Sequence, residues 1–283
     1  MLNEIHKTKN LNVLNSFNKL MYVWDLEKDS IQWESAIGQN FHPITSSISG
    51  NSYFQYLTFD DFWYRMAILS EKAFSGEKFS IHYSLLLPEG IQNVYEEGYV
   101  ELNSKGHPYK ISGCLHIQEH NFEDPRISDF SGYDPLTHLG GPEVLSENLN
   151  AYLVQTKFSR KLCWAFVVVN IDNLAYLNCR YGVHSLRNTL KVLSQKTIHH
   201  IHFDDFIGHC HAASFGIVAK ECDEKGIASL SNRLLEAFNA ENSNIMQDIK
   251  FSIGGVVFPS NDVYDAYHLM NKAQDCISRR QAV

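Results

Sequence analysis

The chain's regular patterning begins at Met21. Met21-Tyr22-Val23-Trp24 and Ser30-Ile31-Gln32-Trp33 are short apolar-rich runs separated by a turn around Glu27-Lys28-Asp29, and they predict a hairpin. Residues 41–76 are less regular, yet Phe59-Asp60-Asp61 followed by Phe62, Met66 and Leu69 gives an acidic start and helical spacing, which predicts a short helix. Three longer alternating segments follow: Phe79 to Leu87, Val94 to Glu101 and Tyr109 to Ile117. Between them lie the turn-forming clusters Pro88-Glu89-Gly90 and Asn103-Ser104-Lys105-Gly106, so the segments predict an antiparallel meander.

The pattern then breaks. From Asn121 to Gly132 the chain is polar and punctuated by Asp124-Pro125 and Ser131-Gly132, which predicts a linker. Beyond it, Val144, Leu145, Leu149 and Leu153 mark a helix, and Ala165 to Ile171 is a continuous run of strand length suited to a sheet covered on both faces. Leu186, Leu190 and Leu193 mark a second helix, Phe206 to Ala219 a hairpin, and Ile227, Leu230, Leu234 and Phe238 a third helix. A strand from Lys250 to Phe258 and an amphipathic helix through Ala266, Met270, Ala273 and Ile277 close the chain. This order predicts an α+β arrangement, a central sheet flanked by helices.

Composition adds bounds. With 283 residues, 44% of them hydrophobic, the chain has material for two cores, in domains of roughly 120 to 150 residues each. It contains no apolar run of about 18 residues, and its start, MLNEIHKTKN, lacks the apolar region of a secretory signal, so a cytoplasmic protein without membrane contact is expected. Six cysteines without a CxxC pair predict buried thiols rather than a disulfide framework. A net charge of −8 without clustered Lys and Arg argues against a nucleic-acid partner.

The segments WDLEKDSIQW, the FDD before a helix, GEKFSIHYSLLLPEG and GHPYKISGCLHIQEH resemble, in their order, the PAS fold over residues 20–120. The resemblance implies an antiparallel five-stranded sheet with flanking helices, and either a small-molecule pocket or a dimerising surface, through which the chain forms a homodimer. The sequence does not choose between these, and the PAS ligand stays unknown. His42 as a haem ligand is set against an ordinary loop histidine, and Trp24, Trp33 and Trp63 as a flavin-stacking wall against core packing. The plainer reading is preferred in both cases, and no cofactor is expected.

A second resemblance covers residues 133–283. Asp134-Pro135-Leu136-Thr137 looks like the DPLTGL opening of diguanylate cyclase (GGDEF) domains, NIDNLAYLNCRYG at 170–182 is similar to their DxD stretch, and Ser252-Ile253-Gly254 matches their SIG strand. The domains are therefore expected at 1–19 (N-terminal segment), 20–120 (PAS-like), 121–132 (linker) and 133–283 (degenerate GGDEF-like). In active relatives the first carboxylate of the DxD strand and an acid of the signature hairpin hold divalent metal on the GTP phosphates. Here the first of these positions is Asn170. The signature reads His211-Ala212-Ala213-Ser214-Phe215, so both acids are replaced, and side chains stand where paired glycines would admit the nucleotide.

Of the residues that read guanine in the family, Asn178 is retained, whereas the acidic one falls on Arg187, which has no acceptor to offer. Asp172, the second acid of the strand, remains. The inhibitory RxxD motif appears as His202-Phe203-Asp204-Asp205, with Asp205 kept and His202 in place of the bidentate arginine. His199, His200, His202, His209 and His211, with Cys210, are weighed as a transition-metal site and set aside because their spacing is not compact.

The resemblance thus implies a catalytically inactive regulatory protein of cyclic di-GMP signalling. It acts through protein partners or a C-terminal EAL-type output domain, as the regulatory part of a longer phosphodiesterase. A non-catalytic GTP or cyclic di-GMP receptor, a residual diguanylate cyclase working through Asp172, and a pure docking scaffold are the rival readings. Pro125, Gly132 and the lack of a heptad in the linker argue against a coiled-coil lever between the domains.

Overall fold

The computed structural model describes residues 19–34, 47–87, 90–118, 132–158, 163–211, 214–258 and 265–281. His42 and the predicted linker 121–132, except Gly132, lie outside these residues. The chain divides into two compact units, one of residues 1–126 together with 175–183, the other of residues 127–174 and 184–283.

The first unit is a sheet with helices on one face. In chain order it contains β1 (Lys19–Asp25), β2 (Ser30–Trp33), β3 (Ser47–Ser49), α1 (Gly50–Phe54), α2 (Phe59–Ser75), β4 (Phe79–Leu87), β5 (Gly90–Leu102) and β6 (Pro108–Ile117). The strands run β3-β2-β1-β6-β5-β4, every pair antiparallel. That is one strand more than the expected five, because Ser47–Ser49 pairs with Ser30 to Gln32 and extends the opening hairpin. Helix α2 starts where Thr58 accepts the backbone N–H of Asp61, and it stops at Gly76, whose left-handed φ of 67° costs a glycine little.

Alternation along the strands sends Leu20, Tyr22 and Trp24 of β1, Ile31 and Trp33 of β2, and Phe79, Ile81, Tyr83 and Leu85 of β4 into the core. Trp24, Trp33 and Trp63 are all buried there. Trp33 lies against Tyr22, Trp24 against Phe54 and Trp63 against Phe62, with ring centroids 5.3, 5.5 and 5.0 Å apart. In the same inward row sits Glu96, fully buried, and it receives both Nε and Nη2 of Arg65 from α2 at 2.8 and 2.7 Å, and also the Tyr22 hydroxyl. Burial works against the Glu96 charge, but the Arg65 guanidinium outweighs it and holds the carboxyl below its usual value.

The second unit has β7 (Trp164–Ile171) near the middle of a four-stranded antiparallel sheet ordered β10-β7-β9-β8. Its other strands are β8 (Phe206–His211), β9 (Ser214–Lys220) and β10 (Phe251–Phe258). Every residue of β7 is buried, as its unbroken apolar run predicts. Helix α3 (Pro142–Phe158) and helix α8 (Ala266–Gln281) cover one face, their Leu145, Leu149, Leu153, Leu269, Ala273 and Ile277 packing with Trp164, Phe166, Val168, Val256 and Phe258. Helix α6 (Glu224–Asn239) takes the other face: Ile277 abuts Gly254, whereas Ile227 abuts the next residue, Gly255, whose Cα faces the opposite way. Helix α5 (Val183–His200) buries the expected Leu186, Leu190 and Leu193. Two short helices, α4 (Leu174–Tyr181) and α7 (Asn244–Asp248), carry too few turns for periodicity to reveal them.

Candidate functional site

The penultimate residue of β7, Asn170, is the one amide in the row of Trp164, Phe166 and Val168. Trp164, Phe166 and Val168 belong to the core cluster, and Asn170, next in phase, is buried but polar. Register places Ser214 of β9 beside it on one side and Ser252 of β10 on the other. The Ser214 hydroxyl donates to Asn170 Oδ1. With its single hydrogen spent, Ser214 Oγ accepts from His211 Nε2–H at 2.9 Å, across the end of the hairpin.

His211 Nδ1 is then the unprotonated nitrogen, buried and without a hydrogen-bond partner among the described residues. Burial, and secondarily the nearby His209, push the His211 pKa down to about 4. At neutral pH the chain Asn170–Ser214–His211 is uncharged throughout. Phe215 is fully buried, and Ala212 and Ala213 lie outside the described residues.

Asp172 is half-buried just past β7; its backbone N–H donates to Lys250 O at 2.9 Å and its Oδ2 accepts the Ser252 hydroxyl. Asn173, buried, clamps the same corner through Nδ2 to Asp248 O at 2.7 Å and Oδ1 from Lys250 N–H at 3.1 Å. Neither Ser252 nor Asn173 stands out in the sequence as a site residue; the available signal is that both neighbour a motif position, in the SIG strand and the DxD stretch.

Asn178, which the family resemblance aligns with a guanine-reading residue, is held elsewhere. Asn178 belongs to residues 175–183, which pack with the first unit, and there its Nδ2 donates to the backbone carbonyl of Met66 at 2.7 Å with the residue wholly buried. Arg187 is half-buried on the second turn of α5. Asp205 is likewise committed to the backbone: Oδ2 accepts His202 N–H at 2.8 Å and Oδ1 accepts Lys220 N–H at 2.9 Å, so it shapes the turn into β8. His202 and Asp205 line a cavity of about 600 Å³ with Tyr152, Cys163, Asp204 and Lys220.

The histidines separate. His199 and His202 are exposed, His200 bonds Lys196 O at 2.8 Å on its own helix, and His209 and His211 are buried. Among the described residues no three His, Cys, Asp or Glu side chains converge as a metal site.

His209 has a different task. Thr137 donates its hydroxyl to Asp134 Oδ2 at 2.6 Å and therefore accepts from His209 Nε2–H at 2.8 Å. Asp134 also takes the backbone N–H of Leu136 and Thr137 at 3.1 and 3.0 Å. Burial opposes its charge, but the His209, Thr137 and Leu136 bonds prevail and hold its pKa at about 2. The Asp134-Pro135-Leu136-Thr137 turn is thus stapled to β8 through Thr137 and His209.

A family model for the diguanylate cyclase GGDEF domain matches residues 131–282, more than half of the chain. The chain belongs to the GGDEF family. The match includes the stapled turn, β7 with Asn170 and Asp172, the hairpin and the SIG strand of this GGDEF domain.

Solved structures similar to the chain include the GGDEF domain of DgcB from Caulobacter crescentus in complex with c-di-GMP, at 12% identity, covering 56% of this chain and 94% of that one with a TM-score of 0.48. A sensory box/GGDEF family protein from Caulobacter crescentus is 20% identical, covering 54% and 99% with a TM-score of 0.47. The S helix-GGDEF-EAL part of Vibrio cholerae LapD, bound to c-di-GMP, is 16% identical, covering 54% and 34% with a TM-score of 0.45. A search of the curated proteins gave no match. Among the described residues no helix is long and apolar enough to cross a membrane.

Proposed function

We propose that this chain is a catalytically inactive regulatory protein of cyclic di-GMP signalling, with residues 20–120 as a PAS-like sensor and residues 133–283 as a degenerate GGDEF domain. The observation that carries this is the neutral, closed chain Asn170–Ser214–His211 at the positions that the family resemblance assigns to metal and nucleotide. Magnesium on a triphosphate gathers several hard oxygen ligands and favours charged ones. Here Asn170 Oδ1 is occupied by a serine hydroxyl, Ser214 is sealed from solvent, and the one carboxylate, Asp172, is half-buried and bonded by Ser252. This donor set does not fit a catalytic metal.

The domain then acts by transmission or docking, in the cytoplasm, through a protein partner or a C-terminal EAL-type domain, with the PAS-like domain as sensor or homodimer surface. A net charge of −8 fits protein partners better than nucleic acid. Nucleotide reception is less well supported, because Asn178 is engaged with Met66 O and Asp205 with two backbone N–H groups.

Titration calorimetry of the purified chain with GTP and with cyclic di-GMP, each with magnesium and then with a chelator, tests this. The expected result is no saturable heat from GTP in either condition and none from cyclic di-GMP. Saturable GTP binding that vanishes on chelation would overturn the metal argument, whereas chelator-insensitive binding of either nucleotide would replace docking by reception.

A further inference from the structure

At the far end of the β7–β9 ladder from the Asn170 corner, the thiol of one cysteine meets the backbone of another. The register pairs Trp164 with Lys220, so Cys163 just before β7 and Cys222 just after β9 stand at the same edge of the sheet. Cys163 Sγ lies 3.4 Å from the backbone carbonyl oxygen of Cys222, and each thiol is free. Cys163 is exposed and lines the cavity that also holds His202, Asp204, Asp205 and Lys220, whereas Cys222 is buried, its sulfur over Gly226 in the first turn of α6.

We infer that Cys163 and Cys222 form an oxidation site for peroxide-class oxidants, closing to an intramolecular disulfide that ties the start of β7 to the entry of α6. The exposed thiol is the one an oxidant reaches. The Cys163 thiolate attacks a peroxide oxygen, breaking the O–O bond and leaving Cys163 as a sulfenic acid with one water released. The Cys222 sulfur then attacks that sulfenic sulfur and the hydroxyl leaves as a second water. Overall two thiols and one hydrogen peroxide give one disulfide and two waters.

The division of roles follows from burial, which pushes the Cys222 thiol up to about 11 and makes it the resolving rather than the attacking group. The other four cysteines lack this arrangement among the described contacts: Cys179 is buried with its thiol pushed up to about 12, and Cys114, Cys210 and Cys276 are half-buried. The consequence is local. The bond fixes the cavity wall that carries Cys163 relative to the segment Lys220–Cys222, whose Lys220 N–H holds Asp205.

The test treats the full chain with hydrogen peroxide, blocks remaining thiols with an alkylating reagent, and maps the digest by mass spectrometry. The expected result is a peptide joining Cys163 to Cys222, two fewer alkylated thiols than the six in the reduced chain, and full reversal by a dithiol reductant. Cys163→Ser, at an exposed position, abolishes the joined peptide without a folding defect, and Cys222→Ser leaves Cys163 oxidised to sulfinic acid or linked between chains. Over-oxidation of Cys163 in the unaltered chain with Cys222 still alkylated, or a cross-link to any other cysteine, would overturn the inference.

Discussion

His211 is a histidine that folding forces to stay neutral. Its pKa lies at about 4 in the folded chain against an ordinary 6.5, chiefly through burial. A depressed value means that the unfolded state binds the proton first, so the stabilising contribution is complete above pH 6.5 and is lost as pH falls from there towards 4. Such a difference is worth about 3 kcal/mol at full development. Urea unfolding should therefore show the chain losing about 2 kcal/mol more between pH 7 and pH 4.5 than a His211→Gln variant, which keeps a side-chain N–H for Ser214. Equal slopes for the two would mean that His211 is not buried neutral. Asp134, held at about 2 from 3.8, contributes in a separate and lower window, between those two values.

At this scale the family resemblance made Asn170 and Ser214 legible as candidates for replaced acids. That they bond each other was not legible, because it depends on cross-strand register, and a shift of one residue would turn Ser214 to the opposite face.

Among elements, the clearest reading from sequence was β7, whose apolar run admits a sheet covered on both faces and little else. The meander of β4, β5 and β6 was equally legible from alternation and turn chemistry. The charge buried beneath it was not. Glu96 lies in phase with Val94 and Val100, and Arg65 in phase with Phe62 and Leu69, but an ion pair between a helix and a strand shows only once both faces are assembled. Its energetics are asymmetric: removing one partner strands a buried charge, whereas replacing both by apolar groups does not.

Glu96→Gln should cost about 3 kcal/mol in chemical denaturation, while Arg65→Met combined with Glu96→Leu should recover most of that loss. If the single variant unfolds at the same denaturant concentration as the unaltered chain, the pair is not buried as described. The short helices α4 and α7 escaped notice for a different reason: five or eight residues do not complete enough turns to show a period.

At the scale of the whole chain, residues 175–183 group with the first compact unit rather than with the sequence on either side of them. Two hydrogen bonds, one buried and one half-buried, explain it: Asn178 donates to Met66 O, and Val183 N–H donates to Ser70 Oγ at 3.2 Å. No local pattern carries such contacts between residues more than a hundred positions apart.

The proposed function requires that this GGDEF domain make no cyclic di-GMP. The most direct measurement incubates the purified full chain with GTP and magnesium, and separately manganese, and resolves the nucleotides by chromatography over hours. The result expected of an inactive domain is no linear or cyclic guanine dinucleotide above the protein-free blank with either metal. Metal-dependent accumulation of cyclic di-GMP, abolished by Asp172→Ala, would contradict it and return Asp172 and the Asn170 corner to catalysis.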